Sequence, residues 1–582
     1  MKRCPACNRT EADDALAFCR ADGTPLLREA DEDAGTIRLG ASQGVGVDLR
    51  TSARDAAPPD GGIGHSQTAG TTLLEPRATS GHTRELKKPK SRRVIVAAAS
   101  VSLLVSAIVA GAYIYKSRGK SGVAKNSIAV LPFVNASGDP DLEYLSDGIS
   151  ESLINNLARL HSLRVIARNT AFSFKGRDAS PQQLGSQLNV GAILTGKVAR
   201  QGDTLSVQVD LVDAETGSEI WGNQYRRKQA DVLQVQDEIA RDITEGLRVS
   251  LTGGERELLT KRYTNNPEAY EYYLKGRFHY YKGSEAEWHQ ALEDYQQAVA
   301  IDPNYALAYS GIADCYGVAS AWLMPPTEAY PKVREASLNA LRIDGTLADA
   351  RAALAADKLF YGHDWAGAER DLKQALGLNP DSTDAVIYYS YFLYASGRTD
   401  ECLALLKRGL QSDPLSLPLN TNFGEALYYA RRYDESLEVS RKTLEIDPNA
   451  LFALLFAGDA YQAKGDYQSA VAAFERMRQP EDNPFAIASL GNVYAVSGRR
   501  DEALKMLSEL QASAKSRYVS PYFFAIIYTG LGDKDQAFAY LNKAYEEHND
   551  YLIYLKVEPL FDPLRSDPRF ADLLRRVGLP QW

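Results

Sequence analysis

A helical signal that returns at a fixed interval constrains this 582-residue chain more than any other feature. Paired helix-like runs begin near Pro267 and end in AIDP at Pro303, LNP at Pro380, SDP at Pro414 and IDP at Pro448; the last three prolines stand 34 residues apart. A unit of that length is one helix pair, too small to bury its apolar face alone, so it must stack on copies of itself. The frames also share an internal order: Gly458, Tyr461, Ala470 and Phe474 in one, Gly491, Tyr494, Ala503 and Leu507 in the next. Small residues let one helix approach another and large ones fill the gap, so this is a packing code and implies no chemistry. About eight such units fit between residues 267 and 550, the second lengthened where WLMPP interrupts the helical run between Ala321 and Pro331. The tail, residues 551–582, contains VEPLFDPLRSDPRFADLLRRVG and reads as a capping helix that closes the end of the stack.

Period and internal order together resemble the tetratricopeptide repeat. The resemblance implies a concave groove for a protein or peptide, lined by the second, fifth, ninth and twelfth positions of each first helix. Those positions are Asp357 and Phe360, then Ile387, Tyr391 and Tyr394, then Glu425 and Tyr428, then Asp459, and Asn492 after a shortened repeat. Aromatics supply desolvated contact and carboxylates supply steering, so the set implies a peptide with apolar anchors and a Lys or Arg. Support of neighbouring helices accounts for any single tyrosine as well.

Upstream, residues 127–252 read as a compact α/β unit. SIAVLPF is an apolar strand, Leu142 to Leu160 carries helical spacing, and LRVIA is a second strand. A helix at Pro181 to Leu188 and a strand from Ala192 follow. TLSVQVDLVD then alternates Leu205, Val207, Val209 and Leu211 with polar residues, as a half-buried strand does. SEIWGNQY and a helix from Val232 to Leu251 complete the unit. NASGDP and SDG lack the glycine spacing of a phosphate loop and read as turn and helix-start chemistry. IAVLPFVNASGDPDLEYLSDGISESLINNLARL, LRVIARNTAFSFKG, ILTGKVARQGDTLSVQVDLVDAETGSEIWGNQY and VQDEIARDI together resemble the TolB amino-terminal-like domain of bacterial membrane and signalling proteins. The resemblance implies sensing or assembly and supplies no catalytic residue. In such relatives the amino-terminal output is often a winged-helix, protein-kinase or nucleotide-cyclase domain.

Val94 to Tyr115 is a run of twenty-two residues with no ionisable group except tyrosines at one end. As a helix it covers roughly 33 Å, enough for a hydrocarbon core of about 30 Å. Arg84, Lys87, Lys88, Lys90, Arg92 and Arg93 precede it, against Lys116, Arg118, Lys120 and Lys125 after it. That bias puts the amino terminus in the cytoplasm and residues from about 116 onward across a bacterial inner membrane. Residues 28–93, rich in Gly, Ala, Ser, Thr, Asp and Pro without an apolar period, read as a disordered tether. Thr36, Thr71 and Thr72 within it are accessible acceptors for phosphorylation, although ordinary linker composition is the plainer reading of them.

Residues 1–27 carry Cys4, Cys7 and Cys19, with Asp22 where a fourth ligand would complete the second pair. Thiolates at that spacing close a tetrahedral site, and metal binding would supply the folding free energy that so short a segment lacks. CPAC and FCRADGTPL resemble bacterial zinc-ribbon modules, implying one structural Zn2+. The fourth cysteine of such modules is absent, which leaves an Asp22 oxygen, a water or a shared ligand to complete the site. Three reduced thiols in a tail are the plain alternative. Cys315 and Cys402 fall where small apolar helix residues belong and read as buried thiols, although a disulfide between them is open to the sequence.

The net charge of −9 argues against general nucleic-acid binding, and Lys2, Arg3, Arg9 and Arg20 are offset by Glu11, Asp13, Asp14 and Asp22. No HRD, DFG, Walker A, GxSxG or HExxH motif is present, and His161, His279, His289, His363 and His548 are scattered, so no enzyme and no small-molecule substrate is expected. The whole reads as a multidomain single-pass membrane adaptor: zinc ribbon, linker, transmembrane helix, α/β domain and all-α solenoid. A membrane-tethered transcription or signalling regulator acting through the ribbon, and an accessory subunit of a kinase or nucleotide-cyclase system, are the alternatives.

Overall fold

The computed structural model describes residues 124–579, apart from His161, Ser250, Thr260 and residues 479–482, together with three short strands before them. It divides into two units, Met1–Lys120 and Ser121–Trp582. In the first, β1 (Lys2–Arg3) pairs antiparallel with both β2 (Thr10–Glu11) and β3 (Leu27–Arg28). Cys4, Cys7, Cys19 and Asp22, the Val94–Tyr115 run, and Thr36, Thr71 and Thr72 lie outside the described residues. Among the described residues no helix is long and apolar enough to cross a membrane.

The second unit opens with a mixed sheet in the order β6-β4-β7-β8-β9, with β5 paired to β7. Its strands are β4 (Ala124–Val130), β5 (Val134–Asn135), β6 (Arg164–Val165), β7 (Val190–Gln201), β8 (Thr204–Asp213) and β9 (Glu219–Lys228). β4 lies parallel between β6 and β7, and its Ile128, Ala129 and Val130 are fully enclosed, which is why that stretch is apolar without alternation. β8 shows the expected alternation: Leu205, Val207, Val209 and Leu211 face inward, covered by Val235, Ile239 and Ile243. The outer edge, β9, carries Arg226, Arg227 and Lys228, charges that discourage further strand pairing. The helices are α1 (Glu143–Leu157), α2 (Arg168–Phe172), α3 (Pro181–Leu188), α4 (Val232–Gly246) and α5 (Gly253–Leu259). A Ser180–Gln183 capping box and Pro181 at the first turn start α3.

NASGDP is the turn that its composition implies, with Asp139 capping the short 3-10 helix that follows. SDG corrects the expectation. It lies inside α1, not at its start, and a Cβ on Gly148 would stand 2.7 Å from Leu274, so the glycine permits a close helix crossing.

Among the described residues, sixteen helices then pair into eight antiparallel hairpins. They are α6 (Pro267–Lys282) and α7 (Glu285–Ile301), α8 (Ala306–Trp322) and α9 (Pro326–Ile343), α10 (Ala348–Ala356) and α11 (Trp365–Leu378), and α12 (Thr383–Ala395) and α13 (Thr399–Ser412). There follow α14 (Leu417–Tyr429) and α15 (Tyr433–Ile446), α16 (Leu451–Ala463) and α17 (Tyr467–Met477), α18 (Pro484–Val496) and α19 (Arg500–Ser513), and α20 (Pro521–Leu531) and α21 (Lys534–Glu546). The turn inside successive hairpins places His363, Gly397, Arg431 and Gly465 at the same left-handed backbone position, so the period seen in the prolines recurs in the backbone. A Cβ at Gly458 would stand 2.3 Å from Phe474, the close approach that the small-and-large order implies.

The α/β unit and the array share one core. Glu151 of α1, buried, accepts from Arg168 Nε at 2.8 Å and from Arg277 Nε of α6 at 2.7 Å. The paired guanidinium groups hold its carboxyl below the usual carboxylate range despite burial. Further along, Thr170 bonds Asp413 at the end of α13, and the Leu415 N–H donates to Thr170 Oγ1 at 3.0 Å. The domain therefore touches the first hairpin and also the junction of the fourth and fifth.

The tail differs from the expected end cap. A capping helix is present, α22 (Pro568–Val577), bound to α21 through Arg569–Asp535 at 2.8 Å. The residues before it form two 3-10 segments, Asp550–Tyr554 and Pro559–Leu564, and these lie against first helices of the array. Pro563, inside the second of these segments, is incompatible with a regular α-helix there.

Candidate functional site

The concave face is a closed aromatic groove. Phe360 comes from the turn Asp357–Tyr361 after α10, Tyr391, Tyr429 and Phe456 from α12, α14 and α16, and Tyr522 from α20. The tail supplies the facing wall. The Tyr554 ring lies 6.2 Å from Tyr391, 5.7 Å from Tyr394 and 5.6 Å from Tyr429, and Tyr551 lies 5.2 Å from Tyr522. Such offset and tilted pairs add to the burial of the rings themselves. Polar bonds fix the crossing at both ends. Asp550 Oδ2 accepts from Ser320 at 2.8 Å and Tyr330 at 3.1 Å, the Tyr428 hydroxyl donates to Glu558 at 3.0 Å, and Arg431 grips Asp562 at 2.6 and 2.8 Å. The His548 Nδ1–H donates to the Tyr361 carbonyl at 2.9 Å, so the last hairpin is tied back to the third.

A cavity of about 310 Å³ remains between tail and groove. Phe360, Tyr391, Glu425 and Asp459, expected at the groove, line it. The other five expected residues do not. Asp357 is 1% exposed and bound by Arg334 at 2.7 and 3.0 Å; it lies in the π-helical turn Asp357–Tyr361 that ends α10. Ile387 is half-buried. The Tyr394 hydroxyl donates to Glu425 at 2.8 Å, and Tyr428 is committed to Glu558. Asn492 donates to the Ile526 carbonyl at 2.7 Å and joins two repeats. Asn422, Asp550, Glu558, Tyr429 and Tyr522 also line the cavity and lie outside the expected groove positions. The sign that could have exposed them is a pair of acidic residues, Asp550 and Glu558, set among the tail's aromatic and proline residues.

Four carboxyls border this cavity: Glu425, Asp459, Asp550 and Glu558. Burial pushes Glu425 up to about 8, with the neighbouring Glu558 adding to the rise. It lifts Asp550 to about 7 and Glu558 to about 6, and Asp459 well above its ordinary value. Near the groove mouth the His363 and His548 rings stack 6.1 Å apart, and burial with the adjacent His548 lowers His363 to about 4. Tertiary folding thus unites two of the scattered histidines. Among the described residues no group of three or more His, Cys, Asp or Glu is arranged for a metal. Cys315 and Cys402 are buried and unpaired, and burial raises both thiols.

The HilA/YgeH-like transcriptional regulator second-domain family matches residues 124–242, and tetratricopeptide repeat families match residues 359–419, 421–484 and 522–548. A putative adenylate cyclase 3 of Rhizobium meliloti (strain 1021) is 36% identical over 190 residues, 33% of this chain and 32% of that one. Transcriptional regulator HilA of Salmonella typhimurium (strain LT2) is 27% identical over 143 residues, 24% of this chain and 26% of that one. The chain thus spans about a third and a quarter of the lengths of these relatives. Among solved structures, pilF of Pseudomonas aeruginosa shows 19% identity at a TM-score of 0.28, covering 36% of this chain and 94% of that one. TTC0263, a thermophilic TPR protein of Thermus thermophilus, shows 20% identity at a TM-score of 0.28, covering 34% and 99%. The chain thus carries tetratricopeptide repeats, downstream of a β-containing domain.

Proposed function

We propose that this protein is a non-catalytic, single-pass scaffold of the bacterial inner membrane. Its array and TolB-like α/β domain, outside the cytoplasm, bind a protein partner, and a cytoplasmic zinc ribbon on Cys4, Cys7, Cys19 and Asp22 holds or signals to a second. The observation that carries this reading is the joint between α/β unit and array. Glu151, Arg168 and Arg277 at one contact, with Thr170 and Asp413 at another, make a single body in which load on the repeats reaches the sheet. β4 of that sheet begins a few residues after the Val94–Tyr115 run. The relatives named as a transcriptional regulator and a putative adenylate cyclase favour a second reading, in which the same body regulates a transcriptional or nucleotide-cyclase output through the ribbon.

Cross-linking in intact cells, followed by purification of the full-length protein and mass spectrometry, tests the scaffold. A discrete partner should cross-link to residues 267–550, be lost when those residues are deleted and survive deletion of residues 1–93. Cross-links confined to residues 1–93, or no enriched partner, would overturn it.

A further inference from the structure

We propose that the cavity between the tail and the groove is a binding site for a small organic polyamine, a compact cation carrying several N–H donors.

Three features converge on that chemistry. At about 310 Å³ the space lies at the lower end of volumes that hold small ligands, roughly 300–1,000 Å³. Its lining includes the rings of Tyr391, Tyr429, Phe456 and Tyr554 from four different segments, and aromatic rings attract a desolvated cation. Tyrosine hydroxyls apart, its ionisable groups are all carboxyls. Glu425, Asp459, Asp550 and Glu558 border it, and no Lys, Arg or His does among the described residues. Arg565 lies near Glu558 and lowers its carboxyl, but its guanidinium is spent on the Lys556 and Glu558 carbonyls at 2.8 and 3.0 Å, outside the cavity lining.

Unpartnered buried atoms point to a ligand independently of the carboxyl cluster. Asp550 Oδ1, Asn422 Oδ1 and the Tyr522 hydroxyl are buried without a hydrogen-bond partner, and all three residues line this space. They are 8%, 6% and 4% exposed. Asn422 Oδ1 is an obligate acceptor, Asp550 Oδ1 becomes one when the carboxyl ionises, and the Tyr522 hydroxyl serves as one, so beside a cation what they lack is donors. Leaving a buried acceptor unmet costs the desolvation of that group with nothing in return. An ammonium supplies donors to the acceptors, a positive charge that favours the ionised form of the carboxyls, and a cation to the rings. A neutral apolar occupant would satisfy only the rings. A metal ion would leave the aromatic walls without a role.

Putrescine, titrated into the full-length protein in mild detergent, is the probe. It should bind with saturation and raise the melting temperature beyond the effect of sodium chloride at equal ionic strength, while 1,4-butanediol of the same length should not. Asp459→Asn and Glu425→Gln, nearly isosteric, should each weaken binding at least about tenfold. Tyr522→Phe, which removes an unpartnered hydroxyl and keeps the ring, serves if either carboxamide variant fails to fold and should weaken binding severalfold. Equal stabilisation by the diol, no saturable putrescine binding, or unchanged affinity in a variant that melts like the parent would overturn the proposal. So would a lysine-containing peptide that occupies the cavity where putrescine does not. The site rests on the tail-closed groove and not on the scaffold reading, so failure here leaves partner capture by the array untouched.

Discussion

Replacing Tyr554 with alanine measures how firmly the tail holds the groove shut. Tyr554 is 8% exposed, and its ring meets Tyr391, Tyr394 and Tyr429 at 5.6–6.2 Å. Truncating a buried aromatic to alanine costs about 3–5 kcal/mol, and the lower end applies where neighbouring segments can close on the space left. A loss of about 3–4 kcal/mol multiplies tail opening by roughly two to three powers of ten. Hydrogen exchange on the full-length protein reads this directly: amides of residues 549–564 should exchange about a hundred- to a thousandfold faster. Arg431→Ala is the contrast. It removes two short bonds to Asp562, but both side chains are more than 40% exposed, so the pair contributes about 1 kcal/mol or less and exchange should rise less than tenfold. Protection within tenfold of the parent in Tyr554→Ala, or a larger effect from Arg431→Ala, would refute aromatic packing as the latch.

Glu151→Ala should lower stability by about 3–5 kcal/mol in urea unfolding, because it strands Arg277 and Arg168 in a buried joint; a loss under 1 kcal/mol would mean that the joint carries little load. Stability should fall as pH rises from 5 to 8.5. Glu425, Asp550 and Glu558 hold protons in the folded protein up to about 8, 7 and 6, whereas unfolded carboxyls release them near 4.5, so the unfolded chain binds fewer protons across that window. Glu151, whose carboxyl is lowered, acts in the opposite sense and only below about 4.5. A melting temperature that is flat or rising from pH 5 to 8.5, or a slope that Glu425→Gln fails to reduce, would count against these protonated carboxyls. The full-length protein should carry one zinc per chain by elemental analysis; Cys19→Ser should lose it more readily than Asp22→Asn, thiolate being the softer donor, and a metal-free parent would remove the zinc from the scaffold proposal.

Local periodicity made much of this fold legible. The alternation of β8, the unbroken apolar run of β4 and the recurring prolines each report a short-range rule, and each corresponds to an observed element. Features that depend on distant contacts were not legible. Tyr551, Tyr554 and Phe561 follow no period that would name Tyr391, Tyr429 or Tyr522 as their neighbours, so the tail read as a cap. Groove positions suffered the same limit. Helical spacing selects the inner face and so finds Phe360, Tyr391, Glu425 and Asp459. It does not reveal that the tail covers the face, or that Tyr394 and Tyr428 spend their hydroxyls on Glu425 and Glu558. Asp357 escaped because a π-turn ends α10 and Arg334 claims its carboxylate.

The ties from Asp550 to Ser320 and Tyr330, and from His548 to Tyr361, span 230, 220 and 187 residues. An open solenoid grows by nearest-neighbour steps, each hairpin docking as it emerges from the ribosome. Here the second and third hairpins lack their final contacts until residues 548–562 have been synthesised, and a truncated product displays a long ring-lined trough in place of a shorter finished array. Chaperones and proteases that survey exposed apolar surface would thereby distinguish a finished array from an interrupted one, a form of length checking built into the fold.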